Sequence, residues 1–173
     1  MNSDPTITSA QIAQFQRDGY LLLPGFYDLR AEIEPIQHAL YEVIGLLIRK
    51  HGLAIERPPF SPETFDAGFQ AVIASDRELG GAVYDAAKLI PPFIRLLAST
   101  KNESLFRALR GTDLAGIGAA SFGIRIDNPN EEKYRSHWHQ EFLFQPQSLD
   151  GVVFWSPLAE VTQTMGPVQI CVG

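Results

Sequence analysis

An imidazole and a carboxylate two residues apart, His139 and Glu141, sit within the run His137-Trp138-His139-Gln140-Glu141. On a strand, residues two apart point to the same side and stand roughly 6–7 Å apart. Side chains of that reach converge on one ion at about 2.0–2.2 Å. One imidazole and one carboxylate, completed by a second imidazole, form the facial triad that leaves positions open on Fe(II). Open positions are what an oxygenase requires, because cosubstrate and O2 must both reach the metal. Alone, the triplet carries little: with 4 His and 20 acidic residues in 173, chance supplies about half of one His-x-acid triplet. Its surroundings add weight, since Trp138, Phe142 and Phe144 crowd it and an apolar segment follows at 151–158. The bland reading is a hydrogen-bonded His–Glu pair inside a bundle of strands.

The remaining histidines are weaker ligands. His137 shares the face but lies roughly 13 Å along a strand from Glu141, too far to share an ion without a sharp bend. His38 and His51 fall in or just after a helix and read as surface or core-edge residues.

Composition narrows the function classes. Lys+Arg is 14 against Asp+Glu 20, a formal net charge of −6, the reverse of a nucleic-acid groove. Apolar residues at 45% can fill the core of one domain spanning 1–173. The single cysteine, Cys171, forms no intrachain disulfide. The N-terminus lacks a basic region followed by an apolar run, and the apolar stretches are far shorter than the ~20 residues of a membrane span. A soluble, cytoplasmic protein with no nucleic-acid or membrane partner is the expectation.

The elements that must position the pair fall into two textures. Residues 1–110 read as helical. Thr8 and Gln11 form a capping box, with Ile7 and Ile12 at the staple positions, and Asp18-Gly19 ends that helix. A short strand is expected at 20–23. From about Asp28, the residues Leu29, Ile33, Ile36, Leu40, Val43 and Leu47 step at the helical period, and Pro35 is expected to fray or kink the first turns. Three shorter helices are expected between Pro62 and Arg110, broken near Gly80-Gly81 and Pro91-Pro92. Residues 111–173 read as β-rich. Phe122, Ile124 and Ile126 alternate with Gly123, Arg125 and Asp127, Asn128-Pro129-Asn130 turns, and strands are expected at 135–142, 151–158 and 168–172.

Trp138-His139-Gln140-Glu141, the Trp-containing apolar segment at 151–158 and the following Thr164-Met165-Gly166-Pro167 turn resemble the phytanoyl-CoA dioxygenase family of non-haem Fe(II), 2-oxoglutarate-dependent oxygenases. The helix, Asp18-Gly19-Tyr20 and apolar opening near the N-terminus is similar to that family too, whereas 28–110 matches only as generic helix. The resemblance implies an α+β fold: a double-stranded β-helix, or jelly-roll, core with the N-terminal helices packed outside. It implies His139 and Glu141 as two of three iron ligands, with Fe(II) and 2-oxoglutarate as cofactor and cosubstrate. By position it places Trp155 beside the cosubstrate, with Arg125 and Gln140 as further candidates. Each of these also has a plain reading. Trp155 packs in the core, Arg125 is a solvated strand residue, and Gln140 points away from the ligands. The sequence departs from the family in carrying Glu at 141 rather than the commoner Asp, and Val172 where Pro is usual. The distal His ligand and the Arg that pairs the cosubstrate carboxylate lie downstream in relatives.

The expectation is therefore an Fe(II)- and 2-oxoglutarate-dependent dioxygenase hydroxylating a small organic substrate with O2. Glu141 occupies the place that halogenating relatives leave to chloride. The 173 residues are expected to be an N-terminal portion of a longer protein, with the missing strands and third ligand supplied by a C-terminal segment or a second chain. Two other classes stay open: a non-catalytic small-ligand-binding module on the same framework, and a zinc hydrolase using the same ligands.

Overall fold

A computed structural model describes residues 7–118, 122–129, 131–144, 146 and 148–172. Residues 1–6, read above for targeting signals, lie outside the described residues, as do Ser121 and Asn130 at the edges of the expected strand and turn, and Gly173.

Helix α1, Ser9–Asp18, starts on the capping box. Thr8 Oγ1 accepts from the Gln11 N–H, and the Gln11 side chain accepts from the Thr8 N–H. Gly19 ends it at φ 76, a left-handed cap that glycine adopts without strain. Asp28 accepts from the N–H groups of Arg30 and Ala31 and opens one π-helical turn, Leu29–Ile33, that runs directly into α2, Glu34–Lys50. Pro35 lies in the first turn of α2, directly after the π-helical turn.

The chain then builds α3 (Phe69–Ser75), α4 (Arg77–Ala87), α5 (Pro91–Leu97) and α6 (Thr100–Arg110). Four helices thus stand where three were expected. Gly80-Gly81 does not break the chain; both lie inside α4. Gly80 is needed there for space, because a Cβ would come within 2.8 Å of Ile73 Cγ1 on α3. The break falls instead at Asp76, whose backbone is extended and whose side chain accepts from the Glu78 N–H.

Helix α2 lies at the centre and packs on α3, α4 and α5, while α1 rests on α6. Its buried face runs through Ile36, Leu40, Ile44 and Ile48, with Val43 and Leu47 along the edge. The N-terminal half joins Ala87, Ile90, Phe93 and Ile124 in one apolar cluster. The C-terminal half joins Phe69, Val72, Leu79 and Val83 in a second. Arg57 pins the loop between α2 and α3: it donates to the carbonyls of Tyr41 and Ala67 and stacks on the Tyr41 ring at 3.5 Å.

The expected α+β jelly-roll is not what forms. Among the described residues there is no strand, sheet or barrel. Residues 20–23 and 151–158 run without regular structure, and 135–142 ends in a 3-10 turn, Glu141–Leu143. The physical reason is in the backbone bonding. Past Thr112, the backbone–backbone hydrogen bonds among the described residues all span three residues, as in Tyr134 N–H to Glu131 and Met165 N–H to Thr162. A ladder requires a second strand at about 4.8 Å, and none is present among these residues. The alternation at 122–126 does set sidedness: Ile124 is buried, and Phe122 and Ile126 pack on the helical core. Helix side chains take up two of the carbonyls farther along. Gln37 Nε2 donates to Leu158 at 2.6 Å and Arg110 to Gly151 at 2.8 Å.

Candidate functional site

Ile124 and Ile126, packed on the helices, fix the stretch on which Arg125 is carried. The chain then makes an excursion through a 3-10 turn, Glu132–Tyr134, and returns past Arg125. Arg77, the first residue of α4, forms a two-pronged ion pair with Glu131 at 2.7 and 2.8 Å, and its guanidinium lies 4.6 Å from the centre of the Tyr134 ring. Arg125 closes the base of the excursion. Its Nε and Nη2 donate to the Asp127 carboxylate, Nη2 also donates to the Tyr134 carbonyl at 2.9 Å, and Nη1 donates to Ser136 Oγ. Four of its five N–H donors are thereby engaged.

Three residues past Ser136, the ring of His139 is held from one side and faces a carboxylate on the other. Nδ1 lies 2.6 Å from the His137 carbonyl oxygen, and Nε2 lies 3.3 Å from Glu141 Oε1. A carbonyl only accepts, so Nδ1 carries the hydrogen. In the neutral ring, Nε2 then turns a lone pair toward a carboxylate oxygen. Two acceptors at that separation repel unless a proton or a metal ion lies between them. The protonated form is correspondingly favoured: the His137 carbonyl, with Glu141 adding to it, raises the His139 pKa above its ordinary 6.5, while nearby Arg125 opposes.

The same geometry fits a metal. Two donor atoms each about 2.1 Å from one ion, at about a right angle, stand about 3.0 Å apart, close to the 3.3 Å observed. An Nδ1–H bonded to a backbone carbonyl is the usual outer support of a ligating imidazole, fixing both tautomer and ring plane. Phe144 packs edge-on against the His139 ring at 5.2 Å. The site is open: the His139 side chain is 32% exposed and that of Glu141 51%. Among the described residues no third His, Cys, Asp or Glu joins the pair.

The structure thus brings His139, Glu141 and Arg125 into one locality. His139 and Glu141, expected to converge from an extended strand, do lie side by side, but on a different backbone. Gln140 has extended backbone but Glu141 begins the 3-10 turn, and it is this turn that accompanies the 3.3 Å approach. His137 contributes its carbonyl oxygen, a part no sequence pattern signals. The pair's hydrogen bonds among the described residues include neither Gln140, which precedes the 3-10 turn as its cap, nor Trp155. Trp155 is 54% exposed and lies outside both apolar clusters, which removes its core reading. His38 packs on Phe60 and His51 caps α2, both apart from the site. Sequence reasoning missed Asp127, Tyr134, Ser136 and the Arg77–Glu131 pair, which are common residue types whose roles depend on the path of the chain.

No protein family, no curated protein and no solved structure matches this chain. Among the described residues no helix is long and apolar enough to cross a membrane.

Proposed function

We propose that His139 and Glu141 are ligands to Fe(II) in a 2-oxoglutarate-dependent oxygenase that hydroxylates a small organic substrate. The observation that carries this reading is the disposition of His139. One ring nitrogen donates to the His137 carbonyl, and the other faces a carboxylate oxygen at 3.3 Å, a separation close to that of two donors on one ion. The resemblance of Trp138-His139-Gln140-Glu141 to the phytanoyl-CoA dioxygenase motif supports iron over other metals.

Bound Fe(II) supplies the O2 chemistry that couples decarboxylation of 2-oxoglutarate to hydroxylation. The chain's own residues supply orientation and charge. The His137 carbonyl holds the imidazole in the tautomer that frees Nε2, and Glu141 brings a negative charge that lowers the cost of gathering a divalent cation there. His139 and Glu141 would hold the ion by two donors, which is compatible with cosubstrate and O2 also reaching it.

Anaerobic loading followed by metal analysis tests the reading, with His139→Ala and Glu141→Ala alongside. Retained iron that both variants lose, with O2 uptake dependent on 2-oxoglutarate, is the expected result. Retained zinc without such uptake points to hydrolysis. Equal iron retention in both variants contradicts the assignment, and no metal in any form leaves a His–Glu ion pair of the kind a binding module would carry.

A further inference from the structure

The oxygenase reading placed Arg125 beside the cosubstrate; its hydrogen bonds describe another task. We propose that Arg125 is a positioning residue for the His139–Glu141 pair, an inference that rests on the metal reading of that pair. Its guanidinium joins the core-anchored stretch at Ile124 and Ile126 to the segment that ends in the ligands. It does so by holding Asp127, the Tyr134 carbonyl and Ser136 Oγ together.

Ile124 lies in one apolar cluster and Ile126 packs against both, so the Arg125 backbone is anchored on either side to the helical core. The excursion that follows has the Arg77–Glu131 pair at one end and Arg125 at the other. From Ser136, one residue leads to the carbonyl that fixes the His139 ring and three lead to the ring itself. Among the described residues, few other bonds tie 136–141 to the rest of the molecule, so the orientation of Nε2 is assigned to this clamp. Asp127 offsets the guanidinium's positive charge at 2.7–2.8 Å, so the clamp sits near a cation site with its repulsion reduced. A lysine would keep the charge and lose the planar fork that reaches three acceptors at once.

Charge and position predict opposite results for the same substitution. If Arg125 acts only through its charge, Arg125→Gln removes a repelling cation and metal binds as well or better. If it positions the pair, Arg125→Gln and Arg125→Lys both weaken binding, by the roughly 10- to 100-fold typical of groups that orient ligands. The experiment measures the Co(II) dissociation constant of wild type and both variants, with thermal unfolding as a control for gross damage. It also records nitrogen-15 spectra of the His139 ring, without metal, at a pH where the ring is neutral. Expected are weaker Co(II) binding, melting temperatures near wild type, and loss of the single Nδ1–H tautomer in both variants. Unchanged or tighter Co(II) binding, or an unaltered tautomer, overturns the proposal. If wild type itself binds no Co(II), the metal reading fails, and the tautomer spectra still decide whether Arg125 orients the ring. A variant that unfolds is replaced by Asp127→Asn, which loosens the clamp and leaves Arg125 in place; the same two readouts then apply.

Discussion

The helical stretch through Arg110 and the segment beyond it have similar stocks of apolar residues and use them in opposite ways. In the first, Ile36, Leu40, Ile44, Val72 and Val83 are 2% exposed or less. In the second, Ile124 is the buried hydrophobic among the described residues, while Leu114, Phe144, Leu149, Val153, Trp155, Val168, Ile170 and Val172 are all more than half exposed. The difference follows from how each backbone satisfies its hydrogen bonds. A helix closes its own N–H and C=O groups within four residues, so an amphipathic stripe needs only another stripe to pack on. An extended segment needs a neighbouring strand before its side chains gain a shared face. The candidate site lies in the second region, and its order comes from clamps attached to the first.

Truncation in the two regions gives the widest contrast. Leu40→Ala removes a 2% exposed side chain at the centre of a cluster and is expected to cost about 2–5 kcal/mol. Trp155→Ala, at a 54% exposed position outside both clusters, is expected to cost below about 1 kcal/mol despite the larger side chain. Denaturant unfolding of both variants measures the difference. A loss of several kcal/mol at Trp155 would erase the distinction between the regions.

A smaller effect sharpens the helical half. Gly68 starts α3 at φ +90 with Ile48 Cδ1 and Arg57 Cδ each 3.1 Å from where a Cβ would stand. Gly68→Ala is expected to destabilise by about 1–2 kcal/mol, from a left-handed backbone and crowding together. Gly116, in the second region, has open space around it, so Gly116→Ala serves as the neutral comparison in the same unfolding assay.

The smallest effect concerns protons. The His137 carbonyl, followed by Glu141, favours the charged His139 ring, so in metal-free protein the pKa lies above 6.5. A raised folded-state pKa contributes stability that is complete below the unfolded value and fades as pH rises through the folded one. Glu141→Gln is expected to lower the His139 pKa and reduce that fading. An NMR titration of the ring resolves it, and an unchanged value would separate Glu141 from His139 in solution.

How much of this was legible in the sequence differs between the regions for the same reason. The Thr8–Gln11 capping box and the apolar period of α2 are local signals, and both are present in the structure. Even there, the buried stripe turns toward Ile44 and Ile48, because α2 meets α3 and α4 on one side and α5 farther along. Gly80-Gly81 misled because glycine signals a break by its own propensity, whereas here Gly80 lets α4 approach Ile73. Beyond Gly111, the alternation at Phe122, Ile124 and Ile126 read as a strand, and what it carries in the structure is one side packed on the helices. It could not indicate a partner strand, since a period of two specifies sidedness and leaves pairing to distant residues. His139 and Glu141 were legible as a pair, whereas the Arg125 clamp and the His137 carbonyl depend on the path of the chain through residues 127–136.

The most direct test of the metal reading is an anaerobic Fe(II) titration of wild type against Glu141→Ala. With the carboxylate facing Nε2 at 3.3 Å as a ligand, its removal is predicted to weaken Fe(II) binding by about tenfold or more, since even groups that only orient ligands carry effects of that size. Equal affinity in the two proteins would contradict the account.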